Sequence, residues 1–345
     1  MTKFTPKSRI ALLAACAALF APLFAPLCAA SAVTERPDVQ AFIKEMTGKH
    51  QFKIDLNALF AQVEIKPAII AAMQRPAEAK PWYEYRPIFL TEERIRMGVE
   101  FWNKHEKVIA QASAKYGVDP EIIVAIIGVE TRYGQHAGAH RVIDALTTLA
   151  FDYPKRAEFF RSELEHYLLM VNEERFDPLA LKGSYAGAMG VGQFMPSSYR
   201  HYAVDFDNDG QRNLFDNMPD AIGSVANYFR EHKWQLGQPV IGRAKPQGKL
   251  DEAAYDAAKK AGPKPTLSYG DITKLGIELL DDLPREQPMS LIELAMRDGP
   301  SYWVGLQNFY VITRYNRSPL YAMAVYQLSQ EIKARHGKAA ARKPT

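Results

Sequence analysis

The amino-acid sequence predicts a mainly α-helical protein with a small β insert near residues 238–308, and two features of the pattern predict this fold class. Before Gly237, apolar residues recur at helical spacing through several segments. Thr91 and the pair Asp119-Pro120 mark helix starts, since Thr and Asp accept the first free amides and Pro suits the first position. After Gly237, short apolar runs alternate with turn residues, which is typical of strands in a small sheet.

The elements before this insert are predicted in chain order. Residues 33–100 form an N-terminal helical region, with an aromatic connector at residues 80–86 and a helix that begins after Thr91. Residues 101–237 form the predicted core, in which a very apolar helix runs from Pro120.

The remaining elements are predicted to be strands and then helix. Strands are expected around residues 266–269, 277–280, 290–296 and 302–304. The stretch 240–262 is rich in Lys, Ala, Gly and Pro, and no strand or helix is predicted in it. Residues 309–345 form a C-terminal helical region as far as Ile332, with a basic tail from Ala334 that is expected to fray.

The first 32 residues have the character of a secretory signal peptide. Lys3, Lys7 and Arg9 precede a long apolar stretch, which ends in the small residues 30–32 where cleavage is expected. A transmembrane anchor is disfavoured by two prolines in that stretch. A lipoprotein signal is a second alternative, because residues 13–16 fit a lipobox that would attach lipid to Cys16.

Removal of this segment changes the cysteine content and the charge. Both cysteines, Cys16 and Cys28, lie within it, so the mature chain would contain no disulfide. Of the 43 basic and 39 acidic residues three basic ones would be lost, so the formal net charge falls from +4 to about +1. We therefore expect no nucleic-acid partner.

A single glutamate, Glu130, occurs in the run from Ile122 to Gly134, and it follows eight residues that are apolar or Gly. Burial against such neighbours raises the pKa of a carboxyl group, which is what a general acid needs near neutral pH. Taken alone, the pattern is better explained by a structural carboxylate that pairs with Arg132 or Arg141.

A glycine-rich segment, GSYAGAMGVGQFMPSSY at residues 183–199, follows farther along the chain. Small residues allow a polymer chain to approach the backbone, and the amide of Gln193 could bind a sugar. The alternative is a tight helix crossing, and the glycine spacing does not fit a phosphate loop.

Five motifs occur together and carry a family resemblance: GVETRYG, YPKRAEFF, GAMGVGQFMPSSY, DAIGSVANYF and ITRYN. From about Trp82 to Leu328 the chain resembles the membrane-bound lytic transglycosylase B family of peptidoglycan-cleaving enzymes. The resemblance implies a lysozyme-like helical core and one catalytic carboxylate, at Glu130. It also implies cleavage of the MurNAc–GlcNAc β-1,4 bond without water. The carboxyl group would act first as an acid and then as a base on the C6 hydroxyl, leaving a 1,6-anhydro-MurNAc end.

The same resemblance implies which residues line the cleft around Glu130. They are Ser184, Gln193, Tyr228, Tyr315, Asn316, Tyr321, Tyr85 and Arg156. Where the family commonly has Arg-Arg, this chain has Lys155-Arg156, and lysine cannot reproduce a bidentate guanidinium contact.

An acidic loop at residues 205–216 predicts a structural Ca²⁺ site. Asp205, Asp207 and Asp209 alternate before Gly210, and Gln211 would offer its backbone carbonyl, as in an EF-hand loop. Position 12 is Asp216, which is shorter than the usual Glu, whereas the resemblance implies closure by Asp220 at the next helix. Either Asp216 or Asp220 could therefore supply the last ligand of the loop. The alternative is an Asx-rich turn without metal.

Two rival functions remain at this point. A hydrolytic muramidase would need a second carboxylate to activate water, and Asp144 and Asp152 are the nearest candidates in sequence. A non-catalytic peptidoglycan-binding protein would use Glu130 structurally.

The signal peptide and the resemblance together suggest a location and a set of partners. We expect a periplasmic monomer that binds peptidoglycan glycan strands, with cell-wall synthesis proteins as candidate partners. In the lipoprotein alternative, Cys16 would anchor it to the outer membrane.

Overall fold

The computed structural model describes residues 33–74, 80–248 and 250–340, so the predicted signal peptide and Cys16 lie outside the described residues. Helices make up most of the described chain. They are α1 (Pro37–Lys49), α2 (Leu56–Phe60), α3 (Pro67–Met73), α4 (Trp82–Phe89), α5 (Glu92–Tyr116), α6 (Pro120–Thr131), α7 (Val142–Asp152), α8 (Ala157–Glu174), α9 (Pro196–Tyr202), α10 (Met218–Glu231), α11 (Glu252–Ala261), α12 (Tyr269–Lys274), α13 (Gln307–Tyr315) and α14 (Pro319–Ala340). None of the helices in these ranges combines the length and apolar character that crossing a membrane requires.

The strands of the described residues form two antiparallel sheets. A two-residue ladder pairs β1 (His140–Arg141) with β2 (Lys182–Gly183). The larger sheet has the order β4-β3-β6-β5, and its strands are β3 (Ile241–Pro246), β4 (Ile277–Leu279), β5 (Ser290–Met296) and β6 (Gly299–Gly305). The predicted mainly α fold with a small β insert is confirmed, whereas the residue limits suggested for the separate regions stay a prediction.

The larger sheet lies between two hydrophobic cores, because alternate residues of a strand point to opposite faces. On β5, Ile292 and Leu294 belong to the main core, which the helices form. Leu291, on the other face, belongs to a second core that includes Ala258 of α11 and Ile272 of α12. The sheet is thus covered by helices on both faces.

Helix α6 forms the centre of the main core, and its residues Ile122 to Val129 are all buried. A helix that is apolar all round is stable only where neighbours cover every face. Asp119 occupies the N-cap position but does not cap the helix. Its carboxylate accepts hydrogen bonds from Trp234 Nε1 at 2.9 Å and from the Gly237 amide at 3.2 Å.

Three local predictions are wrong, and two elements were not predicted. The aromatic connector at residues 80–86 is largely helix α4, and the basic tail continues helix α14 to Ala340. Residues 266–269 form no strand, because Leu267 makes only an isolated bridge and Ser268 begins α12 with a capping box. The stretch 240–262, for which no element was predicted, contains β3 and α11.

Candidate active site

Glu130 lies in the last turn of α6, where it is partly exposed while the residues before it are buried. The hydroxyl of Tyr321, near the start of α14, donates a hydrogen bond to Glu130 Oε1 at 2.5 Å. Tyr321 is 3% exposed. Two residues that the sequence places 191 positions apart are therefore in direct contact.

The protein environment raises the pKa of Glu130 to about 7, because burial disfavours the charged carboxylate. The hydrogen bond from Tyr321 acts in the opposite direction. Burial also raises the pKa of Tyr321 well above its usual value, and the Glu130 carboxylate adds to this, so the phenol stays protonated and remains a donor. At neutral pH an appreciable fraction of Glu130 is in the acid form.

The glycine-rich segment is held in shape by its own polar side chains. Ser184 Oγ accepts hydrogen bonds from the amides of Ala186 at 3.2 Å and Ala188 at 3.1 Å. Gln193 Nε2 donates to Ala137 O and Gly190 O, both at 3.0 Å. These contacts leave the Ser184 hydrogen as a donor and Gln193 Oε1 as an acceptor.

Two predicted tyrosines form an aromatic wall that connects α10, α13 and the glycine-rich segment. The ring centroids of Tyr228 and Tyr315 are 4.8 Å apart, and the ring planes are inclined at 63° in an edge-to-face contact. The Tyr315 hydroxyl donates to Gly192 O at 2.5 Å, and the Tyr228 hydroxyl donates to Arg314 O at 2.6 Å. The pKa of Tyr315 is raised by burial and by the nearby Glu130 carboxylate, so this wall reaches the candidate acid.

Tyr85 and Asn316 also lie close to this group. Tyr85, on α4, is buried, its ring is 5.2 Å from that of Phe89, and it contributes to the raised pKa of Tyr321. Asn316 follows α13, and its Oδ1 accepts a hydrogen bond from the Ser318 amide at 3.1 Å.

Lys155 and Arg156 lie in an exposed 3₁₀ turn between α7 and α8. The Arg156 guanidinium lies over the ring of Phe159, 4.2 Å from its centroid. None of the described hydrogen bonds or ion pairs connects this turn to Glu130.

Both candidates for the second carboxylate of a hydrolase have structural partners instead. Asp144 is 2% exposed and accepts hydrogen bonds from Arg141 Nε and Nη2, at 2.7 and 2.9 Å. Asp152 pairs with Arg36 at 2.7 Å. Among the described residues, no second carboxylate contributes to the pKa of Glu130.

The acidic loop between α9 and α10 brings four carboxylates together. One oxygen each from Asp205, Asp207, Asp209 and Asp220 lies within 4.8 Å of the others. Asp216 is not in this group. Within the described ranges none of the four pairs with a Lys or Arg, and their neighbours are neutral donors such as the Phe206 amide, 2.6 Å from Asp220 Oδ1. An oxygen-only set with uncompensated charge fits a hard divalent cation.

Sequence reasoning missed Thr131, which links the end of α6 to the glycine-rich segment. Its hydroxyl donates to Val191 O at 2.8 Å and accepts from the Gly134 amide at 2.9 Å. The available signal was a threonine directly after Glu130 in GVETRYG, but its partner lies 60 residues away.

Comparison with known proteins assigns the chain to a family. Residues 34–330 match the family model described as the transglycosylase SLT domain. The membrane-bound lytic murein transglycosylase B of Escherichia coli strain K12 is 46% identical over 307 residues, covering 86% of this chain and 82% of that protein. The crystal structure of soluble lytic transglycosylase SltB1 from Pseudomonas aeruginosa is 51% identical, with a TM-score of 0.80, covering 87% of this chain and 100% of the other.

Two further solved structures contain bound molecules. Escherichia coli lytic transglycosylase Slt35 in complex with calcium is 45% identical, with a TM-score of 0.78, covering 87% of this chain and 94% of the other. SltB3 from Pseudomonas aeruginosa in complex with NAG-anhNAM-pentapeptide is 32% identical, with a TM-score of 0.74, covering 85% of this chain and 78% of the other. The protein therefore belongs to the transglycosylase SLT domain family, with the lysozyme-like fold of the lytic murein transglycosylases.

Proposed function

We propose that Glu130 is the single acid and base with which this lytic murein transglycosylase cleaves the β-1,4 bond between MurNAc and GlcNAc. The observation that carries the proposal is a carboxyl group whose pKa is raised to about 7 beside a protonated tyrosine, with no second carboxylate acting on it within the described part of the chain. An acid of this pKa can give up a proton near neutral pH and can accept one in the next step. The related SltB3 complex with an anhydro-sugar ligand supports the same chemistry.

The reaction proceeds in two steps that balance without water. Glu130 gives its proton to the GlcNAc oxygen as the bond from that oxygen to C1 of MurNAc breaks. The C6 hydroxyl of the same MurNAc then attacks C1, and its proton passes to the Glu130 carboxylate. The product has a 1,6-anhydro-MurNAc end, and Glu130 regains its acid form. Because Tyr321 bonds Oε1, the transferable proton belongs on Oε2.

The residues around Glu130 would bind the glycan strand. The Ser184 hydroxyl would donate to a substrate oxygen, and Gln193 Oε1 would accept from an amide or hydroxyl of the sugar. Tyr85, Tyr228, Tyr315, Asn316 and Tyr321 would form the wall of the cleft, and Arg156 would meet a carboxylate of the lactyl or peptide group.

The acidic loop is proposed to hold a structural Ca²⁺, and Asp220, rather than Asp216, would complete the site. The support is the cluster of Asp205, Asp207, Asp209 and Asp220, to which Gln211 would add its backbone carbonyl. The related Slt35 structure is a complex with calcium. Calcium bound here would offset part of the negative charge of the carboxylates and stabilise the loop.

The relative named membrane-bound lytic murein transglycosylase B indicates a location in the cell envelope. For this chain we propose export to the periplasm with cleavage near Ala32. The mass of the protein recovered from the periplasm would test this, since a lipid-modified N-terminus at Cys16 would contradict it.

Mass spectrometry of the soluble products from purified peptidoglycan tests the proposed chemistry. Anhydro-MurNAc ends are expected, and Glu130→Gln should release none. Reducing ends, one water heavier, would indicate hydrolysis and a second carboxylate. Full activity of Glu130→Gln would remove Glu130 from the mechanism.

A further inference from the structure

Thr131 follows Glu130 directly and is 1% exposed, so its hydroxyl must find partners inside the protein. It has three, which lie in α6, in the turn after it and in the glycine-rich segment. The hydroxyl donates to Val191 O at 2.8 Å, with a longer contact to Ile127 O at 3.2 Å, and it accepts from the Gly134 amide at 2.9 Å. One side chain thus joins the end of α6, the turn after it and the glycine-rich segment.

The turn after Thr131 has a costly backbone conformation. Arg132 and Tyr133 have φ of 52° and 62°, and Gly134 has φ of 87°. A left-handed conformation is unfavourable for a non-glycine residue, so two in succession persist only where surrounding contacts fix them. The bond from the Gly134 amide to Thr131 closes this turn.

The carbonyl that Thr131 binds is itself held in place. The Val191 amide donates to Leu214 O at 2.8 Å, at the end of the acidic loop. Beside it, Gly190 approaches so closely that a Cβ would lie 2.5 Å from Leu214 O, and Gly192 O accepts the Tyr315 hydroxyl. Val191 O is therefore a fixed point against which the last turn of α6 is aligned.

We propose that Thr131 is a positioning residue: its hydroxyl fixes the last turn of α6 against Val191 and so aims the Glu130 carboxyl group at the bond to be cleaved. This inference rests on the proposed role of Glu130. A displacement of a catalytic group by about 1 Å can cost on the order of 100-fold in rate, so one buried hydrogen bond at this point is enough to matter.

The test compares Thr131→Val with Thr131→Ser. Valine keeps the branched shape and removes both hydrogen bonds, whereas serine keeps the hydroxyl and removes a methyl group. We expect Thr131→Val to lower kcat by about 10-fold or more with little change in KM, and Thr131→Ser to stay within about 3-fold of the wild type. Wild-type kcat in Thr131→Val, or an equal loss in both variants, would overturn the proposal.

Tyr133→Phe is the matched control for a general loosening of the turn. This change also removes a hydrogen bond of the turn, the one from the Tyr133 hydroxyl to Arg94 O at 2.9 Å. That hydrogen bond does not involve the glycine-rich segment. Its melting temperature should fall while kcat is kept. An equal fall of kcat in Tyr133→Phe and Thr131→Val would overturn the role of Thr131.

Two further measurements keep the test decisive. If Thr131→Val does not fold, Thr131→Ser and Thr131→Ala make the same comparison, since they differ only in the hydroxyl. Glu130→Gln separates the two hypotheses. If it is inactive while folded Thr131→Val is fully active, the positioning role fails and the proposed function stands; if Glu130→Gln is active, both fail.

Discussion

The charged form of Glu130 destabilises the folded protein, because burial raises its pKa from 4.5 to about 7. Because the pKa of Glu130 is higher in the folded state than in the unfolded state, the contribution of this group to the free energy of unfolding is fully present below pH 4.5. That contribution is lost as the pH rises toward 7. Glu130→Gln removes this penalty while keeping the shape of the side chain. We expect it to abolish turnover and to raise the free energy of unfolding by about 1–3 kcal/mol at pH 8, allowing for partial exposure.

Chemical denaturation of both proteins at pH 4 and pH 8 checks this expectation. The difference in the free energy of unfolding should be present at pH 8 and nearly absent at pH 4. A variant that is less stable than the wild type at pH 8, or that unfolds without cooperativity, would indicate a structural role for the carboxylate.

Tyr321 opposes the effect of burial, since its hydrogen bond stabilises the charged form of Glu130. Tyr321→Phe should therefore raise the pKa of Glu130 further. The high-pH limb of the plot of kcat against pH should move to higher pH. The kcat plateau should fall by about 10-fold at most, because one hydrogen bond is lost. Tyr315→Phe is the control, because that hydroxyl bonds Gly192 O, and an equal shift of the limb there would contradict the assignment.

The loop between α9 and α10 is the element whose stability should depend on metal. A ligand that binds only the folded state at 100 times its Kd stabilises it by about 3 kcal/mol. We expect calcium to raise the melting temperature of the wild type, and the rise should vanish in the double variant Asp205→Ala/Asp209→Ala.

Asp216→Ala is the matched control for the acidic loop, because Asp216 lies outside the cluster that contains Asp220. It should keep the calcium-dependent rise in melting temperature, whereas Asp220→Ala should lose it. A rise that vanishes in Asp216→Ala would assign closure of the site to that residue instead. A wild-type melting curve that calcium leaves unchanged would remove the metal site.

Local signals in the sequence predicted several elements correctly. Thr91 accepts the Arg94 amide at the start of α5, and the apolar run from Ile122 is a buried helix. One missed element, β3, depends on distant pairing. Strand β3 has the antiparallel partner β6, about 60 residues later, and no local pattern reveals that pairing. Helix α11 was missed although Asp251 caps it, because its composition resembles a loop.

For the candidate site, too, the sequence carries the local information but not the contacts between distant segments. A glutamate after an apolar run predicts a perturbed carboxyl group, which is local information. The contacts of Glu130 with Tyr321 and of Thr131 with Val191 join segments 191 and 60 residues apart, so they depend on the packing of α6, α14 and the glycine-rich segment. Sequence motifs could name these residues through a resemblance, but not the atoms that meet.

At the scale of the whole molecule, the larger sheet connects the two cores. Its inner face joins the helices around α6, and its outer face carries α11 and α12. The hairpin of β5 and β6 also reaches α4, where the Arg297 guanidinium lies 5.4 Å from the centroid of the Tyr83 ring. Because α4 carries Tyr85 of the proposed cleft wall, the β insert supports one side of the site.

A sheet that both cores share should make unfolding a single cooperative transition. Leu291 and Ile292, each 3% exposed, face opposite cores, so Leu291→Ala and Ile292→Ala create cavities on opposite sides of β5. Each should cost about 2–5 kcal/mol and lower the same calorimetric transition. Lys245→Ala, at an exposed position of β3, should change stability by about 0.5 kcal/mol or less. If Leu291→Ala instead splits the transition into two, the β insert unfolds independently of the helical core.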